Sequence, residues 1–306
     1  MLFIFRRMAG AVFVIFGTIT LVFAILYWLP GDPAVLVAGE NATEESIARI
    51  RTLLGTERPL WAQYLDYLSG LAQGDLGTSF ATQEPVTIRL WAQFPSTVAL
   101  TLLASTVAIV TGVLFGVIAA VNRGNRLDQA IQSVMLFLTS MPSFWFGILL
   151  ILLFSVTLQW LPAIGSDSFA QLILPVTCLG LIASGRLMRM VRNSVLDVLD
   201  EPFVTALRAK GLVEWQVLFR HVLRNALIPV VTLLGILVGE LLSGTVVVET
   251  LFARQGIGRL LVDAVGVKDV PVIQGTVLIA SISFVIINLL VDLSYSVIDP
   301  RVRVEG

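Results

Sequence analysis

The sequence predicts an all-α, polytopic membrane protein with six transmembrane helices, cytoplasmic amino and carboxyl termini, and a small helical extracytoplasmic insertion after the first span. Three observations lead there. The 306 residues are 57% hydrophobic and 13% charged, with a mean hydropathy of +0.91, more apolar surface than a water-soluble domain can bury. The apolar residues gather into six stretches, each near the roughly 20 residues that a helix needs to cross a bilayer core. The basic residues are sorted by loop, as expected when cytoplasmic segments hold an excess of Lys and Arg. A net charge of −1 gives no footprint for nucleic-acid binding.

In chain order, the first span covers about Met8 to Leu29. It follows Arg6 and Arg7, but its apolar run exceeds the usual 7 to 15 residues of a cleaved signal, so it is read as a retained helix. Residues 30–96 form the outer insertion. There Asn41 and Glu44 suit a capping box before Ile47, Ile50 and Leu54, with Gly55 as the stop. Pro59 opens a second helix carrying Leu60, Tyr64, Tyr67, Leu68 and Leu71, ended by Gly74. The core, 97–306, holds five more spans: about Thr97 to Val121, Ile131 to Leu158, Leu172 to Met188, Ala226 to Val248 and Val272 to Val297. Pro142 marks a kink or break in the third, because proline removes a donor and clashes with the preceding turn. Alternating the spans from an inner Arg6 and Arg7 places Arg123, Arg126, Arg186, Arg189, Arg192, Arg208, Lys210, Arg220, Arg224, Arg301 and Arg303 inside as well.

The inner segment at about 189–225 is the most informative loop. Glu201-Pro202 can start a short helix with Phe203, Ala206 and Leu207 on one face, and Gly211 ends it. A second short helix from Glu214 to about Leu223 carries Trp215, Leu218, Phe219 and Val222 toward the membrane or a neighbouring helix, with Arg220 and Arg224 toward water. Enzymatic constellations are missing. Lys210 and Lys268 follow Ala209 and Val267, so neither completes a phosphate-binding loop, which needs glycine before its lysine. The single Cys178 lies in an apolar run and reads as a packed side chain, and the single His221 has no partner for a metal site. No Gly-x-Ser-x-Gly segment provides a hydrolase nucleophile.

Two acids lie inside apolar spans. Glu240 is near the middle of the fifth, where a charge costs on the order of 2.5 to 3.5 kcal/mol, so it should face the bundle interior, either as a pathway residue for a cationic or amine-bearing cargo or as a partnered structural acid. Asp292 shares a face of the sixth span with Asn288, a pairing suited to joining helices and also to lining a pathway. Glu249, Arg254, Arg259, Asp263, Lys268 and Asp269 fall in the last outer loop and read as a solvated rim, with Gly256 and Gly258 permitting a turn.

FVTALRAKGL followed by LFRHVLRNALIPVVT resembles the cytoplasmic loop of permease subunits in the dipeptide, oligopeptide and nickel branch, which also includes glutathione systems, of bacterial ABC importers. LPGDPA at Leu29 to Ala34, GDLGTSF at Gly74 to Phe80, MPSFW at Met141 to Trp145, WLPAIG at Trp160 to Gly165, GIGRLLVDAV at Gly256 to Val265 and NLLVDLSYSVIDPRVR at Asn288 to Arg303 extend that resemblance in order along nearly the whole chain. It implies that Thr205, Ala206, Arg208, Ala209, Lys210 and Gly211 belong to a coupling loop that docks onto ATPase subunits. It also implies a second homologous permease, two ATPase subunits or domains that bind ATP and Mg, and an extracytoplasmic substrate-binding protein, all in the bacterial inner membrane system. This chain would then bind no cofactor and hydrolyse nothing itself. Di- and oligopeptides are the expected cargo, with nickel or metal chelates and glutathione as alternatives within the family. An ion-driven secondary transporter would instead show inverted repeats, and the chain has no convincing one.

Overall fold

A computed structural model describes residues 2–28, 33–38 and 42–298. The described secondary structure is helical apart from one isolated bridge between Thr78 and Pro85. The helices are α1 (Leu2–Trp28), α2 (Pro33–Ala38), α3 (Glu44–Leu54), α4 (Leu60–Ala72), α5 (Val86–Val121), α6 (Arg126–Ser140), α7 (Ser143–Leu150), α8 (Ala170–Leu199), α9 (Pro202–Ala209), α10 (Glu214–Gln216), α11 (Leu223–Leu251), α12 (Ile257–Gly266) and α13 (Val270–Ile298). A wide π-helical turn, Ile151–Thr157, extends α7, and another, Val217–Val222, joins α10 to α11. Among the described residues, four helices are long and apolar enough to cross a membrane, or five when α6 and the α7 segment count as one broken span.

Several boundaries differ from the local signals. The α3 cap is Thr43, whose side chain accepts from Ser46 N, while Asn41 lies outside the described residues; Gly55 closes the helix at φ 67° as expected. The helix predicted from Thr97 starts at Val86, and the one predicted to stop at Met188 runs on to Leu199. At Met141 and Pro142 the backbone is extended, and the helices on either side are bent by 107°. Pro95, Pro175 and Pro229 stay inside continuous helices, as membrane helices allow where neighbouring groups satisfy the freed carbonyl.

The chain divides into two compact units. The first comprises Met1–Thr97 and Gln255–Val285. Its core packs Val86 and Leu90 of α5 with Leu260 and Ala264 of α12 and Val272 and Ile273 of α13. The second comprises Val98–Arg254 and Ile286–Gly306. It is built around α8, which has 61% of its apolar window buried against 22% for α13. Its core runs through Leu100 and Ala104 of α5, Leu179, Leu187 and Val191 of α8, and Val230, Leu237 and Leu241 of α11. At Gly185 the backbones of α6 and α8 close in so tightly that a Cβ would strike Thr139 Oγ1 and come within 2.7 Å of the Met135 carbonyl oxygen. Small residues at helix crossings are how membrane helices gain dispersion contact without a hydrophobic drive between them.

Candidate functional site

In the second unit, α9 turns back after α8 ends at Leu199. Pro202 sits at its first position, where the missing N–H costs nothing. Val204 is buried in the core and Leu207 packs against it, whereas Thr205, Ala206, Arg208, Ala209, Lys210 and Gly211 are all exposed. Arg208 is tied to Glu214 by Nε and Nη2 at 2.8 and 3.2 Å, and those bonds raise the guanidinium above its ordinary pKa. Gly211 adopts φ 80°, a left-handed conformation in which L side chains are strained. The six residues expected to dock therefore form one solvent-facing surface, hung from the core by Val204.

Of the face expected at Trp215, Leu218, Phe219 and Val222, Val222 is buried and Leu218 packs against the core, while Trp215, 65% exposed, and Phe219 lie outside it with ring centroids 3.9 Å apart. Arg220 and Arg224 are exposed as expected. The helix expected from Glu214 widens into a π-turn and runs directly into α11.

Glu240 has a partner, Arg186 of α8, bonded from Nη1 to Oε2. It is thus paired, as the structural alternative expected, yet both side chains remain largely exposed on this chain. The Asp292 side chain lies outside the described residues. A second ion pair escaped the sequence reading. Asp128 of α6, 2% exposed, accepts from Arg192 Nε and Nη2 at 2.8 and 2.7 Å, from Gly124 N at 3.0 Å and from Gln132 Nε2 at 2.8 Å. The available signal was a lone acid at a helix start opposite an arginine-rich helix end, but nothing local says that the two meet.

Three residues assigned to a solvated rim are instead buried: Glu249, Arg254 and Asp269. In the second unit, Arg254 N donates to the Glu249 carbonyl at 2.8 Å, and burial lowers the Arg254 pKa against the opposing pull of the Glu249 carboxylate. In the first unit, Asp269 reaches across to the tight turn formed by GDLGTSF. It accepts from Ser79 Oγ, from Phe80 N at 3.0 Å and from Ala81 N at 3.3 Å, with Arg89 Nη1 at 3.8 Å. Asp269 can be buried this way because its carboxylate is hydrogen-bonded, whereas Arg254 Nε and Nη1 are buried without a hydrogen-bond partner among the described residues. Arg259 and Asp263 do form an exposed pair along α12. Gly256 is extended rather than turned, at φ 173°. Among the described residues no three His, Cys, Asp or Glu side chains group to hold a metal ion.

Two family models match the chain: the binding-protein-dependent transport system inner membrane component over residues 112–304, and the amino-terminal part of such a membrane component over residues 1–101. A putative peptide transport system permease protein of Brucella abortus is 42% identical over 310 residues, spanning 99% of each chain. The glutathione transport system permease protein GsiC of Escherichia coli O6:H1 is 42% identical over 301 residues, spanning 98% of each. Among solved structures, the MetNI methionine ABC transporter in inward-facing conformations matches with a TM-score of 0.59 at 20% identity, over 70% of this chain and 96% of that one. That likeness concerns the fold alone.

Proposed function

The chain belongs to the family of binding-protein-dependent transport system inner membrane components, and from that membership we propose that it is one of two permeases in an ATP-driven importer of short peptides. Six spans with both termini in the cytoplasm suit the distribution of basic residues along the chain. ATP and Mg are bound by separate ATPase subunits, a second homologous permease completes the pathway, and an extracytoplasmic binding protein delivers cargo. The bacterial cytoplasmic membrane is where such a chain works. Permeases named for peptides and for glutathione, itself a tripeptide, are both 42% identical to this chain, which favours cargo with free amino and carboxyl groups over a metal chelate.

The observation that carries the proposal is the two-faced α9. Its inner face is fixed by Val204 and Leu207, so force applied to its outer face is passed to α8 and α11 through a packed core rather than lost in a flexible loop. ATP binding by the partners shifts the population of permease conformations through that contact. Ala206→Glu tests it: the position is exposed and Glu is nearly as good a helix former as Ala, so insertion and pairing of the chain are retained. A loss of about 1.4 kcal/mol or more from the docked state lowers ATP-driven peptide uptake about tenfold or more. Unchanged uptake in proteoliposomes would remove α9 from the coupling role.

A further inference from the structure

Two ion pairs that join helices of the second unit, Asp128–Arg192 and Arg186–Glu240, differ in what they leave open. Around Asp128 every lone pair is engaged, and Arg192 grips the carboxylate with two nitrogens. Arg186 touches Glu240 through one nitrogen and one oxygen. Among the described residues its remaining N–H groups and Glu240 Oε1 have no partner, and the two side chains are 60% and 54% exposed. Glu240 stands well inside the long apolar helix α11, and Arg186 reaches it from α8, where the apolar run gives way to Arg189 and Arg192. A charged pair within the membrane faces a bundle interior or a water-filled cavity rather than lipid. The face of α8 and α11 that carries them is therefore turned toward protein or water.

We infer that Arg186 and Glu240 form a transient binding site for a zwitterionic peptide in transit, Arg186 taking the carboxylate end and Glu240 the ammonium end. The site rests on the peptide-importer function proposed above. A guanidinium presents its donors as a planar fork matched to a carboxylate, and most of that fork is unused here. The two side chains sit on separate helices and share a single contact, so they can swing apart to meet the ends of a di- or tripeptide, roughly 7–10 Å from end to end. With no cargo they satisfy each other. With cargo, one ion pair is exchanged for two while the peptide and both side chains lose freedom, so binding stays weak enough for the peptide to leave.

The test uses the complete complex in proteoliposomes, with tri-alanine, tri-alanine amide and N-acetyl-tri-alanine each supplied at saturation of the binding protein. Arg186→Gln should lower uptake of free tri-alanine about tenfold relative to the amide, and Glu240→Gln should lower it about tenfold relative to the N-acetyl peptide. ATPase activity stimulated by the loaded binding protein should persist in both. Because Cys178 is the single cysteine and is buried, Glu240→Cys adds one reporter thiol, which should react with a membrane-impermeant reagent more slowly when tri-alanine is present. Equal losses for all three peptides, or an unreactive thiol in every nucleotide state, overturn the site. A parent complex that takes up no tri-alanine and no glutathione with ATP would count against the peptide-importer function itself, and is recognised by failure before any substitution is made.

Discussion

Removing the Asp128 carboxylate should be the most damaging single change in the second unit, and a second substitution should largely repair it. Asp128→Ala takes away the acceptor for four hydrogen bonds and strands Arg192, whose side chain is only 16% exposed, beside the unpaired Gly124 N–H. Breaking one half of a buried ion pair costs about 3–5 kcal/mol, because the remaining charge is left uncompensated. Replacing both partners is often close to neutral, since no charge then needs solvation. The double variant Asp128→Ala/Arg192→Leu should accordingly be more stable than Asp128→Ala alone, with an interaction term of about 2 kcal/mol or more. Reversible unfolding by SDS in mixed micelles, followed by tryptophan fluorescence, gives all four corners of the cycle. Effects that add to within about 0.5 kcal/mol would refute the pairing as the source of the loss.

Gly185→Ala should force α6 away from α8, because the new methyl meets both Thr139 and the Met135 carbonyl; overpacking of this kind costs about 1–3 kcal/mol, and the same SDS titration reads it. A Gly185→Ala protein as stable as the parent would mean that the two helices lie farther apart. Asp269→Ala should free the turn it holds, leaving Ser79 Oγ and the Phe80 and Ala81 amides without their acceptor at about 1–3 kcal/mol. Hydrogen exchange at Phe80 and Ala81 should then quicken about tenfold or more, while unchanged protection would show that the turn stands without Asp269.

What the residues disclosed by themselves is whatever depends on near neighbours. Hydropathy located the helices long enough to span, Gly55 and Gly211 marked stops that are left-handed in the fold, and Pro202 opened α9, but the inward face of that helix is Val204 with Leu207, and the Phe203 and Ala206 expected there are exposed. The run FVTALRAKGL carried the family resemblance, which matches over the full chain bear out. The tertiary structure decided the rest, because a helix of uniform hydrophobicity says little about its own rotation. Pro142, read as a kink or break, does fall at a sharp bend, but Pro175 and Pro229, equally within apolar spans, stay inside continuous helices. The exposed charges expected at Glu249, Arg254 and Asp269 became buried ones, since burial is set by what packs over a residue and not by the loop that holds it. The partners of Glu240 and Asp128 lie 54 and 64 positions away in the chain. Charge alone could say that each acid needed a counterpart; only the packing of α6 and α11 against α8 could say which arginine it met.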